Sequence, residues 1–124
     1  MIFDTDVIIW YMRGNVNAMR LIASTQQREF AQASWLELVE GVRNKRELAE
    51  TKALLARLGL EILPLTESIG QRAGILMEEH ALKDGLDAID SIVAATALEN
   101  SLPLATANCK HYKSLGVNLH VLKP

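Results

Sequence analysis

Asp87-Ala88-Ile89-Asp90-Ser91-Ile92-Val93-Ala94-Ala95-Thr96-Ala97-Leu98-Glu99 is the stretch that decides the fold. It opens in the form of a capping box, with Asp87 at the cap and Asp90 three residues on. From Ile92 to Leu98 it is almost wholly small and apolar, and a helix that is apolar all round is buried on most sides. Leu102–Thr106 follows as a short apolar strand. A buried helix leading into a buried strand points to a sheet covered by helices.

The same alternation runs to both ends of the chain. Upstream, Ile69, Ala73, Leu76 and Met77 recur at helical spacing and predict a helix over Thr66–Ala81, followed by a turn at Lys83-Asp84-Gly85. Leu60–Leu63 reads as a strand ended by Pro64, and Glu47–Leu58 as a helix closed by Gly59. Ser34 is expected to start a helix that runs to about Asn44, after a strand over Glu29–Ala33. Val16–Thr25 is consistent with a short amphipathic helix. Val7–Met12 is apolar and leads into a helix end and turn at Arg13-Gly14-Asn15, after a first strand at Met1–Phe3. Downstream, Leu119–Leu122 is the fifth strand. Strands alternating with helices predict a parallel sheet with helices on both faces.

Composition narrows the function classes. The chain has 124 residues, 49% hydrophobic and 23% charged, which suits one globular domain over residues 1–124 and excludes disorder throughout. Thirteen Lys and Arg against 15 Asp and Glu give a net charge of -2, so the protein does not coat nucleic acid by bulk charge. The single cysteine, Cys109, excludes an internal disulfide and a cysteine-based zinc cluster, and fits a reducing cytoplasm. Asp4 and Asp6 stand where a signal peptide would need Lys or Arg, and no apolar run approaches the length of a membrane span. The glycine-rich phosphate loops of nucleotide-binding proteins are absent.

Parallel sheets bind ligands at the carboxyl ends of their strands. Asp4 is expected at the end of the first strand, and Thr106 and Asn108 at the end of the fourth. Glu37 is expected in the first turn of the helix after the second strand, and Asp90 in the first turn of the buried helix. Three carboxylates and an amide then converge on one edge. Clustered carboxylates repel unless a cation neutralises them. Oxygen donors without paired His or Cys select Mg²⁺ or Mn²⁺. Such ions support phosphodiester hydrolysis. Each residue also has a structural reading. Asp4 and Asp87 suit helix caps, Ser34-Trp35-Leu36-Glu37 has the form of a capping box, and Asn108 suits the start of a short helix. Capping and metal binding are compatible, because the helix dipole helps to keep a first-turn carboxylate ionised.

Other residues carry weaker signals. His80, His111 and His120 lack metal-ligand spacing. Cys109 reads as a buried, inert thiol, and Trp10, Tyr11 and Trp35 as core. Arg43, Lys45 and Arg46, with Lys110, His111 and Lys113 beside Asn108, are candidates for gripping phosphates, although short basic runs are usually solvated.

The chain as a whole resembles a known family. Asp4-Thr5-Asp6-Val7-Ile8-Ile9 followed by Arg13-Gly14 is similar to the opening of PIN-domain proteins, in particular the short VapC-type toxins. Glu37-Leu38-Val39-Glu40-Gly41 is similar to their E-L-x-x-G segment, and Asp90–Ala97 to their D-x-x-I-A-A-T-A helix. Leu104-Ala105-Thr106-Ala107-Asn108 with His111-Tyr112 resembles their L-x-T-x-[ND]-x-x-H-F stretch. The resemblance implies a three-layer α/β/α sandwich with a parallel sheet. It also implies Mg²⁺- or Mn²⁺-dependent endoribonuclease activity, a homodimer, and inhibition by a small antitoxin. Carried over, Asp4, Glu37 and Asp90 match the three core acids and metal ligands. Asn108 matches a fourth position that is Asp in many members. Asp6 and Asp87 fall where they would hold metal-bound waters. Thr5 and Thr106 fall where they would orient carboxylates.

Two rival readings stand beside this one. A receiver-like phosphoacceptor domain has similar length and sheet, but needs an Asp after the third strand, where Glu61-Ile62-Leu63-Pro64-Leu65 offers none. A PIN-like interaction protein without catalysis is the other, motivated by Asn108 in place of a fourth acid.

Overall fold

The computed structural model describes all residues 1–124. Its elements follow the order β1 (Ile2–Phe3), α1 (Thr5–Met12), α2 (Val16–Ala23), β2 (Glu29–Ala31), α3 (Gln32–Glu40), α4 (Lys45–Arg57), β3 (Glu61–Leu63), α5 (Glu67–Asp84), α6 (Ala88–Glu99), β4 (Leu104–Thr106) and β5 (Leu119–Val121). The five strands form one sheet in the order β3-β2-β1-β4-β5, and every neighbouring pair is parallel. A 3₁₀ turn over Cys109–His111 lies between β4 and β5.

Side chains alternate across the strands and divide the core in two. Ile2, Ala31 and Leu104 face one layer, where Ile69, Ala73 and Leu76 of α5 meet Val93, Ala94 and Ala97 of α6. Phe3, Phe30 and Ala105 face the other, against Val7 and Ile8 of α1, Ala18 and Ile22 of α2, and Leu54 and Leu55 of α4. This is a three-layer α/β/α sandwich. Residues Val93–Ala97 are all buried, and five consecutive helical residues point in every direction around the axis. The small, apolar sequence of α6 therefore reflects burial on all sides. Glu29 is buried within β2, where the N-terminal ammonium of Met1 neutralises it at 2.6 Å.

The boundaries differ from expectation where local chemistry overrides the pattern. β2 stops at Ala31 rather than Ala33, and α3 starts at Gln32 rather than Ser34. The chain passes straight from strand to helix with Ala31 at the cap position and no capping side chain. Ser34 is fully buried inside α3, so the expected capping box with Glu37 is not formed. α3 ends at Glu40, before Gly41, and Asn44 instead caps α4 by accepting from the Glu47 amide at 2.9 Å. α5 continues through Lys83 and Asp84, and Gly85 ends it in the left-handed conformation (φ 68°) that glycine adopts without strain.

The order of strands places a switch point between β1 and β4. From β1 the chain proceeds to β2 on one side, while β4 leads to β5 on the other. The crevice at the carboxyl ends of β1 and β4 is where such sheets take their ligands.

Candidate active site

Asp4 follows β1 directly and caps α1. Its Oδ1 accepts the Thr5 amide at 2.9 Å. Its backbone amide donates to Ala105 on β4 at 2.9 Å, which ties it to the switch point. Its Oδ2 accepts the hydroxyls of Thr106 and Tyr112, both at 2.9 Å. Capping and site placement are thus served by one residue. Burial, with the charge of Asp6 added, pushes the Asp4 carboxyl up to about 7.

Asp6 turns toward the end of β4. Its Oδ2 accepts the Ala107 amide at 3.0 Å and lies 3.3 Å from the Thr106 hydroxyl. Its Oδ1 is buried with no donor. Burial raises its carboxyl above the usual range. Asp90 stands in the first turn of α6, where its Oδ1 lies 3.1 Å from the Tyr112 hydroxyl and its Oδ2 lies 2.8 Å from His111 Nδ1. Burial, and then the charge of Asp87, raises it as well. Asp87 itself caps α6 by accepting the Asp90 amide at 2.9 Å.

Glu37 lies in the second turn of α3, not the first, because the helix starts two residues early. Its Oε1 accepts the Thr5 hydroxyl at 2.7 Å. Asn108 is exposed. Its side chain caps nothing, and its amide donates to Thr106 Oγ1 at 3.0 Å. Asp4, Thr5, Asp6, Ile9, Glu37, Asp87, Asp90, Asn108 and His111 line one cleft of 240 Å³. The fold therefore brings together residues that are remote in sequence, from α1, α3, α6 and the segment after β4.

Of the basic candidates, His111 lines the cleft, while Arg43, Lys45, Arg46 and Lys110 do not. Arg43, just before α4, pairs with Glu47 at 2.9 Å, and Arg46 pairs with Glu50 at 3.0 Å on the surface of α4. Lys45 and Lys110 are exposed and form no ion pair. Cys109 is half-buried rather than buried. His80 is buried on α5 and lies 2.6 Å from Asp84. His120 is exposed on β5.

Tyr112 escaped sequence reasoning. It sits where the resembled pattern carries Phe, and its fully buried ring belongs to the core between α5, α6 and the sheet. Burial and the flanking carboxylates push its hydroxyl far above the usual range, so it stays protonated. The available signal was the extra oxygen on an otherwise apolar position.

The donor set fits a hard divalent cation. Apart from the His111 ring it is oxygen, carries several carboxylates held above their usual range, and includes the orphaned Asp6 Oδ1. No three of the His, Cys, Asp and Glu side chains are spaced to hold a metal ion as they stand, so the acids would have to draw together on the cation.

Asp87→Ala is expected to cost about 1 kcal/mol of stability through the lost cap of α6, with Asp87→Asn close to wild type. Urea unfolding of the two variants measures the difference.

A parallel α/β/α sandwich with acids gathered at its switch point defines the class: an α/β protein with an acidic cleft. The PIN domain family model matches residues 1–114, and the chain belongs to the PIN-domain family. Ribonuclease VapC10 of Mycobacterium tuberculosis is 34% identical over 113 residues, 88% of this chain and 83% of that protein. Ribonuclease VapC19 of the same organism is 29% identical over 116 residues, 90% of each chain. Among solved structures, DNA-bound VapBC from Salmonella typhimurium shares the fold with a TM-score of 0.80 at 19% identity, over 97% of this chain and 96% of that one. A toxin–antitoxin complex from Klebsiella pneumoniae does so with a TM-score of 0.78 at 23% identity, over 97% and 95%.

Proposed function

We propose that residues 1–124 form one nuclease domain, a Mg²⁺- or Mn²⁺-dependent endoribonuclease that serves as the toxin of a toxin–antitoxin pair. The observation that carries this reading is the gathering of Asp4, Glu37 and Asp90 in one cleft at the switch point, beside the donorless Asp6 oxygen. The relatives named as ribonucleases support RNA as substrate. The similar solved structure from Klebsiella pneumoniae is a toxin–antitoxin complex, which supports a protein antitoxin as partner. We also assign this chain a homodimeric state and a cytoplasmic location. No helix is long and apolar enough to cross a membrane.

Asp4, Glu37 and Asp90 would hold the cation, with Asn108 as a neutral fourth group and Asp6 and Asp87 beside them. When bound, the cation offsets charge at the scissile phosphate and acidifies water. The residues supply the rest. Thr5 fixes Oε1 of Glu37, which leaves Oε2 to accept a hydrogen from the attacking water. The water oxygen forms a bond to phosphorus as the bond to the leaving ribose oxygen breaks, and that oxygen takes up a proton from solvent. Thr106 holds Asp4 and Asp6 in place from β4. With Asp4, Glu37 and Asp90 set aside, 12 acids face 13 bases, so the remaining surface does not repel RNA by bulk charge.

Incubation of the purified protein with single-stranded RNA tests this reading. Cleavage is expected with Mg²⁺ or Mn²⁺ and is abolished by EDTA. Cleavage that survives EDTA unchanged would contradict the metal requirement, and labelling by a phosphoryl donor would revive the receiver-like alternative.

A further inference from the structure

Asp4 and Asp90 belong to different helices and are tied independently to their surroundings. Asp4 is held by the Thr5 amide and the Thr106 hydroxyl. Asp90 is met by His111, whose ring is 54% exposed. The only hydroxyl that reaches both carboxylates is that of Tyr112, 2.9 Å from Asp4 Oδ2 and 3.1 Å from Asp90 Oδ1. Its ring is fully buried against the core of α5 and α6, so the oxygen has little freedom to move. One hydrogen is shared between two acceptors, which orients both without adding charge. A phenylalanine would fill the same core space, leave Asp90 Oδ1 without its donor and leave Asp4 Oδ2 with the Thr106 hydroxyl alone.

We infer that Tyr112 is a positioning residue that orients the Asp4 and Asp90 carboxylates toward each other for binding a divalent cation. This rests on the reading of those acids as a metal centre. Asp4 Oδ2 receives two hydroxyls and Oδ1 one amide, so of about four acceptor sites one remains for an ion, on Oδ1, and Tyr112 and Thr106 set which way it faces.

Tyr112→Phe keeps the ring and removes the oxygen. Its circular dichroism spectrum is expected to match wild type, while its affinity for Mn²⁺, followed by loss of the free-ion electron paramagnetic resonance signal, falls about 10-fold or more. In RNA cleavage, kcat falls with KM unchanged. A purely structural role would lower the melting temperature and leave Mn²⁺ affinity intact. A second measurement uses the wild-type chain, which has two tyrosines. With ¹³C at the tyrosine Cζ, Mg²⁺ is expected to shift the Tyr112 resonance and leave that of Tyr11 in place. Equal Mn²⁺ affinity of variant and wild type, or a Tyr112 resonance unmoved by saturating Mg²⁺, would overturn the positioning role and leave the metal centre standing. A wild-type protein that binds neither ion would overturn both.

Discussion

Asp4→Asn and Asp90→Asn are each expected to slow Mg²⁺-dependent RNA cleavage by about 10³-fold or more, with the fold intact. Both substitutions preserve shape. Asparagine is a good helix cap, so its one oxygen keeps the start of α1, and its amide nitrogen takes the place of Oδ2 and donates to the Thr106 and Tyr112 hydroxyls, which rotate to accept. The negative charge is what disappears. In a cleft whose lining is mostly carboxylate and whose one basic lining residue is His111, that charge is the attraction for a cation. Single-turnover cleavage of a labelled RNA by the two variants, beside their circular dichroism spectra, checks the expectation. Undiminished rates in both would remove these residues from the chemistry.

Without divalent cation the protein is expected to lose stability as the pH rises from about 4 to about 7. The native Asp4 carboxyl sits at about 7, against 3.8 for its ordinary value. The native state therefore binds this proton more tightly than the unfolded chain does. The resulting stabilisation is complete below the unfolded value and is lost as pH climbs through the native one. For Asp4 the loss amounts to about 4 kcal/mol. Asp6 and Asp90 are displaced in the same direction and add to it. A few kcal/mol is a large share of the total for a small domain. Mg²⁺ competes with the proton, so it should raise stability more at pH 8 than at pH 5. Asp4→Asn should flatten the pH dependence and be more stable than wild type in EDTA at pH 8. Urea unfolding at both pH values, with EDTA and with Mg²⁺, checks this. Equal stability of the metal-free protein at pH 5 and pH 8 would contradict it.

The sheet was legible because burial leaves a plain trace in residue type. The run Ile92–Leu98 cannot be an amphipathic surface helix, and α6 is buried on all sides. Short apolar runs such as Ile2–Phe3 and Leu104–Thr106 became the central strands. Helix ends were less legible. Ser34 and Glu37 have the spacing of a capping box, but the chain enters α3 from β2 without a turn, and Ser34 is drawn into the interior. Sequence spacing does not reveal where a strand stops when no loop intervenes.

The acids were legible because each falls just after a strand or early in a helix that starts at the same sheet edge. The contacts among them were not. Thr5 reaches Glu37 across 32 residues, and Tyr112 reaches Asp4 across 108. These bonds depend on how α1, α3 and the 3₁₀ turn at Cys109–His111 pack, which no local pattern encodes. Tyr112 in particular looks like a core aromatic in sequence, and only its surroundings show that its oxygen is placed between two carboxylates.

A crystal soaked in Mn²⁺ tests the central claim most directly, because anomalous scattering locates the ion without reference to activity. The account predicts an ion in the cleft with carboxylate oxygens of Asp4 and Asp90 among its ligands and Glu37 adjacent. An empty cleft at saturating Mn²⁺, or an ion bound only at sites remote from Asp4 and Asp90, would contradict it.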